Sequence, residues 1–409
     1  MTGDPIRPLN LLIRILNREI AQAPDERILR IVTLVDAMPV RGAADQLLAP
    51  LRQRLALLRP PRPLRLPRLI FHPLKPLIVA AAGWRIGQQA IPRTVIMPIA
   101  NHVRLAMGAA GVAIETRMAG RTTADTELIV RLGCSLWPAA AKILTGSAIP
   151  ETWAATQLGD NIYRPLADIV AAVLAEAAAL QTLCAETATG LLPPRLKVVE
   201  AILNRVARMN PGALPMMIAL LLDSVPQAAG LLLPARTTTV QNAMNEAAEI
   251  LLRQLSHEDG IEARIGKARL SDAGTATSRI VTLLTHLSDV ATKYTPRDQL
   301  RMLRRRLDAS CAARFASGLR DELLTPLRRL TIFPDPDQIL ALETAARGLR
   351  VLATEARSVG SGVAYDRLLS QAAAAIKDDA IRMALTDRLR LIEILASPAA
   401  ALAMLDQTR

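Results

Sequence analysis

Apolar residues recur at three- and four-residue intervals along nearly the whole chain, and strand-like alternation is almost absent. This period predicts an all-α protein. The stops and starts are closely spaced: Asp160–Ala188 runs out before Gly190, and Pro193-Pro194 then opens Pro194–Met209, where a missing amide hydrogen costs little. Thr237–Glu258 ends at Asp259-Gly260, and Ser278–Lys293 is followed by Thr295-Pro296-Arg297-Asp298, an N-cap with an acid near the positive helix end. Helices joined this tightly pack as antiparallel hairpins, stacked as an α-solenoid-like array or an irregular bundle. Pairs at about 35–45 residues suit a stacked repeat, although no residue signature recurs.

The remaining expected helices are Pro8–Ile20, Asp25–Met38, Ala43–Leu58, Pro92–Gly108 with a kink at Pro98, Ala124–Leu144, Pro336–Ser358, Val363–Ile376, Asp378–Ala396 and Pro398–Leu405. On Pro296–Leu323, Leu300, Leu303, Leu307 and Cys311 define one buried side. With 51% hydrophobic residues over 409 positions, the chain is apolar enough for a large core, and long enough for two or three domains or one extended array. The expected organisation is an N-terminal short-helix region (1–58), a basic Pro/Arg-rich extended segment (59–91) and a helical array (92–409) divided again near 234 or 260.

The charge is unevenly placed. Of a formal +13, ten cations (Arg52, Arg54, Arg59, Arg62, Arg65, Arg68, Lys75, Arg85, Arg93 and Arg104) lie between Asp45 and Glu115, an interval without a single acid. The preference for 44 Arg over 6 Lys reads as GC-rich codon usage. The clustering is more informative. In Arg59-Pro60-Pro61-Arg62-Pro63-Leu64-Arg65-Leu66-Pro67-Arg68, proline excludes a regular helix. Polyproline II geometry, with three residues per turn, would align Arg59, Arg62, Arg65 and Arg68 on one edge at about 9 Å intervals. With Lys75 and Arg85 these form the candidate anion-binding residues, for nucleic-acid phosphates, anionic lipid or an acidic protein surface. The contrasting reading is a solvated linker. Pro60-x-x-Pro63-x-Arg65 also has the form of a proline-rich ligand, a pattern common by chance.

A secondary basic face is expected where Arg297, Arg301, Arg304 and Arg305 share a sector of about 100° on one helix, weakened by Asp308. Only 2% of residues are aromatic; Trp84 and Phe71 are the sole stacking candidates near the basic segment, so base stacking is poorly supported.

Enzyme motifs fail. Gly260-x5-Gly266-Lys267-Ala268 has one residue too many between its glycines, and Ala where a phosphate loop needs Ser or Thr. His257-Glu258 lacks a second His four residues on, and His72, His102 and His286 have no ligand spacing with it. Asp335-Pro336-Asp337 reads as a helix N-cap, Asn101, His102 and Arg104 as structural polar groups, and Asp223 as the exposed side of its helix. No catalytic residue, metal or cofactor is assigned. Cys134, Cys184 and Cys311 form no C-x-x-C pair, which fits a reducing cytoplasm. The opening residues lack a signal-peptide layout. Thr94–Ile114 and Asn210–Pro234 come closest to membrane length, but internal polar residues and prolines make them buried helices rather than transmembrane segments. The leading expectation is a cytoplasmic, non-enzymatic α-helical scaffold or adaptor that binds protein partners and contacts an anionic partner through the basic segment. The alternatives are a nucleic-acid-binding protein using the same arginines, and an enzyme with an unrecognised helical active site.

Overall fold

The structure, a computed structural model, describes residues 25–37, 61–85, 87–186, 192–235, 237–257, 260–290, 297–330, 335–360, 362–376 and 383–407. The expected helices Pro8–Ile20 and Ala43–Leu58, and Arg59 itself, lie outside these residues. The protein is all-α and multi-helical. It divides into two compact units, one of residues 1–225 with 234–243, the other of 226–233 with 244–409.

In the first unit the helices are α1 (Asp25–Ala37), α2 (Leu66–Ile70), α3 (Ile96–Met107), α4 (Ala109–Met118), α5 (Thr126–Leu144), α6 (Asp160–Ala185), α7 (Leu192–Met209) and α8 (Leu214–Ser224). Two-residue strands β1 (Ile78–Val79) and β2 (Ile91–Pro92) pair in parallel, Ile78 opposite Ile91. The central pair is α5 and α6. Ile129, Leu132, Leu136, Trp137, Ala140, Ala141 and Leu144 repeat at helical spacing and are buried. Ser147, just past α5, hydrogen-bonds the hydroxyl of Tyr163 near the start of α6 (2.7 Å), and Arg164 donates to the Ser147 carbonyl (3.0 Å). The end of α5 thus meets the beginning of α6, and the two run antiparallel.

Residues 64–77 of the basic segment pack into the first unit. Leu64, Leu66, Leu69, Ile70, Phe71, Leu74 and Leu77 are all buried, and α2 packs on α3 and α5. Residues 61–65 are irregular, with a single antiparallel bridge at Pro63; at Leu66 the chain turns into α2, with Pro67 in the first turn, where no amide donor is needed. The apolar residues between the arginines drive this burial.

The chain passes between units through α9 (Ala228–Leu232) and α10 (Thr238–Ser256). The second unit continues with α11 (Ile261–Gly266), α12 (Leu270–Val290), α13 (Arg297–Ser317), α14 (Thr325–Arg328), α15 (Pro336–Ala356), α16 (Gly362–Ile376), α17 (Leu385–Leu395) and α18 (Pro398–Gln407). Leu300, Leu303, Leu307 and Cys311 are buried, as their spacing predicts. Helix α12 begins eight residues before the expected Ser278, and Gly274 inside it is a contact point with α15. A Cβ there would lie 2.4 Å from Val351 Cγ1, and one on Gly348 would lie 2.9 Å from the Leu270 carbonyl. These two glycines let α12 and α15 approach closely. The expected helix to Leu323 instead becomes a π-helical turn over Gly318–Leu324. Just before that turn, in the last turn of α13, Arg314 is buried, donating to the Ala268 carbonyl (2.9 Å) and pairing with Glu322 inside it.

Among the described residues one helix, α6, is long and apolar enough to cross a membrane, and most of its apolar window is buried within the fold. The two stretches singled out from sequence are both interrupted: 94–114 bends between α3 and α4, and 210–234 breaks between α8 and α9.

Candidate anion-binding surface

Arg62 and Arg65 are mounted on fixed backbone. The Leu64 amide donates to the Arg121 carbonyl (2.8 Å), and the Thr123 amide donates to the Arg62 carbonyl (2.8 Å). The Arg62 amide donates to Thr123 Oγ1 (3.1 Å), and Pro63 pairs antiparallel with Thr122. Pro63 has no amide to offer, so its neighbours make the bonds. Leu64 and Leu66 are buried, while Arg62 and Arg65 are exposed. Both guanidinium groups are exposed and have no ion-pair partner among the described residues.

Arg68 departs from the expected rail. It sits in the last turn of α2, half-buried, and its guanidinium returns to the carbonyl of Pro63. A cation there also meets the negative end of the helix. Arg68 is not part of an extended edge with Arg62 and Arg65, because an α-helix begins at Leu66. Lys75 is exposed on a short 3₁₀ turn, Lys75–Leu77. Burial, and then the Lys75 charge, hold His72 below its ordinary value of 6.5. Arg85 is exposed, with Nη1 on the Trp84 carbonyl (3.2 Å). Of the two aromatic candidates, Phe71 is buried, and half-buried Trp84 donates its indole N–H to the Ala90 carbonyl (3.1 Å).

The secondary face lies in the other unit. Arg297, Arg301, Arg304 and Arg305 are all exposed on α13, and Arg301 pairs with Asp298 (3.0 Å). That pair is solvated and weak. Asp308 is half-buried and its carboxylate faces Gly360. A two-pronged ion pair on this helix belongs to Arg306, which sequence spacing did not single out. It binds Glu262 through two nitrogens (2.7 and 2.6 Å) and donates to the Ser256 carbonyl (3.1 Å), fastening α13 to α11.

Other polar groups have structural duties. Asp335 caps α15 by accepting from the Asp337 amide (3.1 Å). Gly260 is crowded by the carbonyls of Gln254, Leu255 and His257, so the false phosphate-loop match forms no cradle. His102 and Asn101 are half-buried on α3, and Arg104 is exposed. Asp223 is half-buried at the end of α8. Thr277 Oγ1 meets the buried Cys311 Sγ (3.4 Å), and burial raises that thiol above its usual value, the opposite of a thiolate nucleophile. Among the described residues no three His, Cys, Asp or Glu side chains gather as metal ligands. A shallow cavity of about 370 Å³ at the start of α5 is lined by both signs of charge, Arg121 and Arg131 against Asp125 and Glu127. Asp125 is engaged there with the Thr122 amide (2.7 Å).

Comparison of the chain with protein-family models, with curated proteins and with solved structures found no match.

Proposed function

We propose that this protein is a non-enzymatic α-helical scaffold or adaptor whose basic segment contacts an anionic partner, with Arg62 and Arg65 as the primary contacts. One observation carries the reading: both guanidinium groups stand in solvent on backbone pinned by Leu64, Arg121 and Thr123, within a stretch that lacks any acid. A fixed mount reduces the ordering cost of binding. Lys75 and Arg85 extend the cationic surface, while Arg68 serves the fold. The helical faces of both units supply the protein-binding role, in a cytoplasmic setting consistent with three cysteines that form no disulfide.

A titration of the full chain against a single-stranded oligonucleotide and against polyglutamate, each at two salt concentrations, tests the anionic contact. Binding to either probe that weakens with salt supports it. Salt-independent binding, or none to any anionic probe including anionic lipid, contradicts it.

A further inference from the structure

Helices α3 and α4 meet at a corner that faces solvent with apolar side chains. The bend between them is 116° and falls at Gly108, whose φ of 52° and ψ of −124° favour glycine. Gly111 brings α4 back against the end of α3; a Cβ there would lie 3.3 Å from the Arg104 carbonyl and 3.4 Å from Met107 Cβ. Val103, Ile114 and Met118 anchor the corner in the first unit. Its outer side is open: Leu105 is 71% exposed and Val112 60%, and Ala106, Gly108, Ala109, Ala110 and Ala113 are exposed between them.

Cations flank this apolar corner. Arg104 on α3 and Arg117 on α4 are exposed, and Arg121 follows α4. The extended stretch at Arg62 is hydrogen-bonded alongside residues 121–123. The nearby acids are few: Glu115 is half-buried, and Asp125 faces Arg121 at 4.0 Å.

From these features we infer that the α3–α4 corner inserts shallowly into an anionic lipid surface, with Leu105 and Val112 entering the acyl boundary while Arg62, Arg65, Arg104 and Arg117 meet the headgroups. This rests on the reading of Arg62 and Arg65 as anion contacts and names their partner. Helices of 12 and 10 residues at 116° do not cross a bilayer core, which needs about 20, so the depth is interfacial. Nucleic acid offers phosphates but no apolar layer for Leu105 and Val112. A second copy of the chain would oppose cations with cations. An anionic bilayer supplies both complements in one surface.

Flotation of the full chain with phosphatidylcholine vesicles, with and without 30% phosphatidylglycerol, tests the inference. Binding is expected only with the anionic lipid. Leu105→Gln/Val112→Gln should weaken it about tenfold through lost apolar burial, and Arg62→Gln/Arg65→Gln by several-fold. Leu105→Trp provides a second readout, independent of whether the glutamine variant folds: its emission should shift to the blue on adding anionic vesicles. Failure to float, or a glutamine pair that floats like wild type with no shift from Leu105→Trp, overturns the insertion. A change in mass by light scattering without vesicle binding assigns the corner to self-association and overturns it as well. Salt-sensitive oligonucleotide binding that Arg62→Gln/Arg65→Gln removes, with no flotation, overturns the lipid partner but supports the anionic contact. Flotation that needs Leu105 and Val112 but is indifferent to Arg62 and Arg65 supports insertion of the corner and contradicts the role given to those arginines.

Discussion

The buried indole N–H of Trp137 donates to the carbonyl of Leu69 over 2.8 Å, joining positions 68 residues apart. Leu69 lies near the end of α2, where carbonyls lack partners within the helix. The His72 amide reaches the same oxygen at 3.3 Å, and Trp137 supplies the better bond. Gly133 makes room for the ring, since a Cβ there would fall 2.2 Å from it. This bond ties the basic segment to α5 and keeps the Arg62–Arg65 mount in place.

Trp137→Phe removes the donor and keeps most of the ring. It should lower stability by about 1–2 kcal/mol, within the range for losing one buried hydrogen bond. Denaturant unfolding followed by circular dichroism measures it. An unchanged midpoint would mean that apolar packing alone secures α2.

The glycines between α12 and α15 should be intolerant of a methyl group. Gly348→Ala meets the Leu270 backbone, which has no rotamer to yield, and Gly274→Ala meets Val351. Each should destabilise by about 1–3 kcal/mol despite alanine's better helix propensity. Gly230→Ala on α9, with nothing within 4 Å, should instead stabilise by about 0.4–1 kcal/mol. Thermal melts of the three variants settle the order.

The thiols should differ sharply in reactivity. Cys134 is exposed, whereas burial, and secondarily the Asp223 charge, push Cys184 from 9.0 up to about 11. At pH 8 a thiol reagent should label Cys134 rapidly, and Cys184 and Cys311 only on unfolding. Because the folded thiol at Cys184 holds its proton to higher pH than the unfolded one, its contribution to stability falls as pH rises between about 9 and 11. Mass spectrometry of labelled peptides checks the first claim and melts across that interval the second.

Hydrogen bonding to Arg306 holds the Glu262 carboxyl below its usual 4.5. A lowered carboxylate stabilises the fold above the unfolded value and loses that contribution as pH falls through the folded one. Glu262→Gln should therefore cost up to about 1 kcal/mol at pH 7, a solvated pair being weak. The deficit should shrink below pH 4.5. Melts of both proteins at pH 7 and pH 3.5 test this.

Helix class and much of the core were legible because they depend on local periodicity, as Leu300, Leu303, Leu307 and Cys311 illustrate. The role of Gly274 was not legible, because a glycine's close approach to another helix is visible only once the partner helix is in place. Helix α4 escaped notice because its Ala-Ala-Gly-Val-Ala run lacks an apolar stripe. In the basic segment, dense proline and arginine masked Leu64, Leu66, Leu69 and Ile70, whose burial requires α3 and α5. Exposure of Arg62 and Arg65 followed from their charge. The return of Arg68 to Pro63 did not, since it depends on the turn into α2.

The division of labour between neighbouring arginines is the most direct test of the account. Arg62→Gln/Arg65→Gln and Arg68→Gln should be compared for thermal stability and for retention on an immobilised sulfated polyanion. The account predicts that the first pair keeps its melting temperature and elutes at markedly lower salt. Arg68→Gln should melt earlier and elute close to wild type. A double variant that elutes like wild type, or one that melts as early as Arg68→Gln, would contradict it.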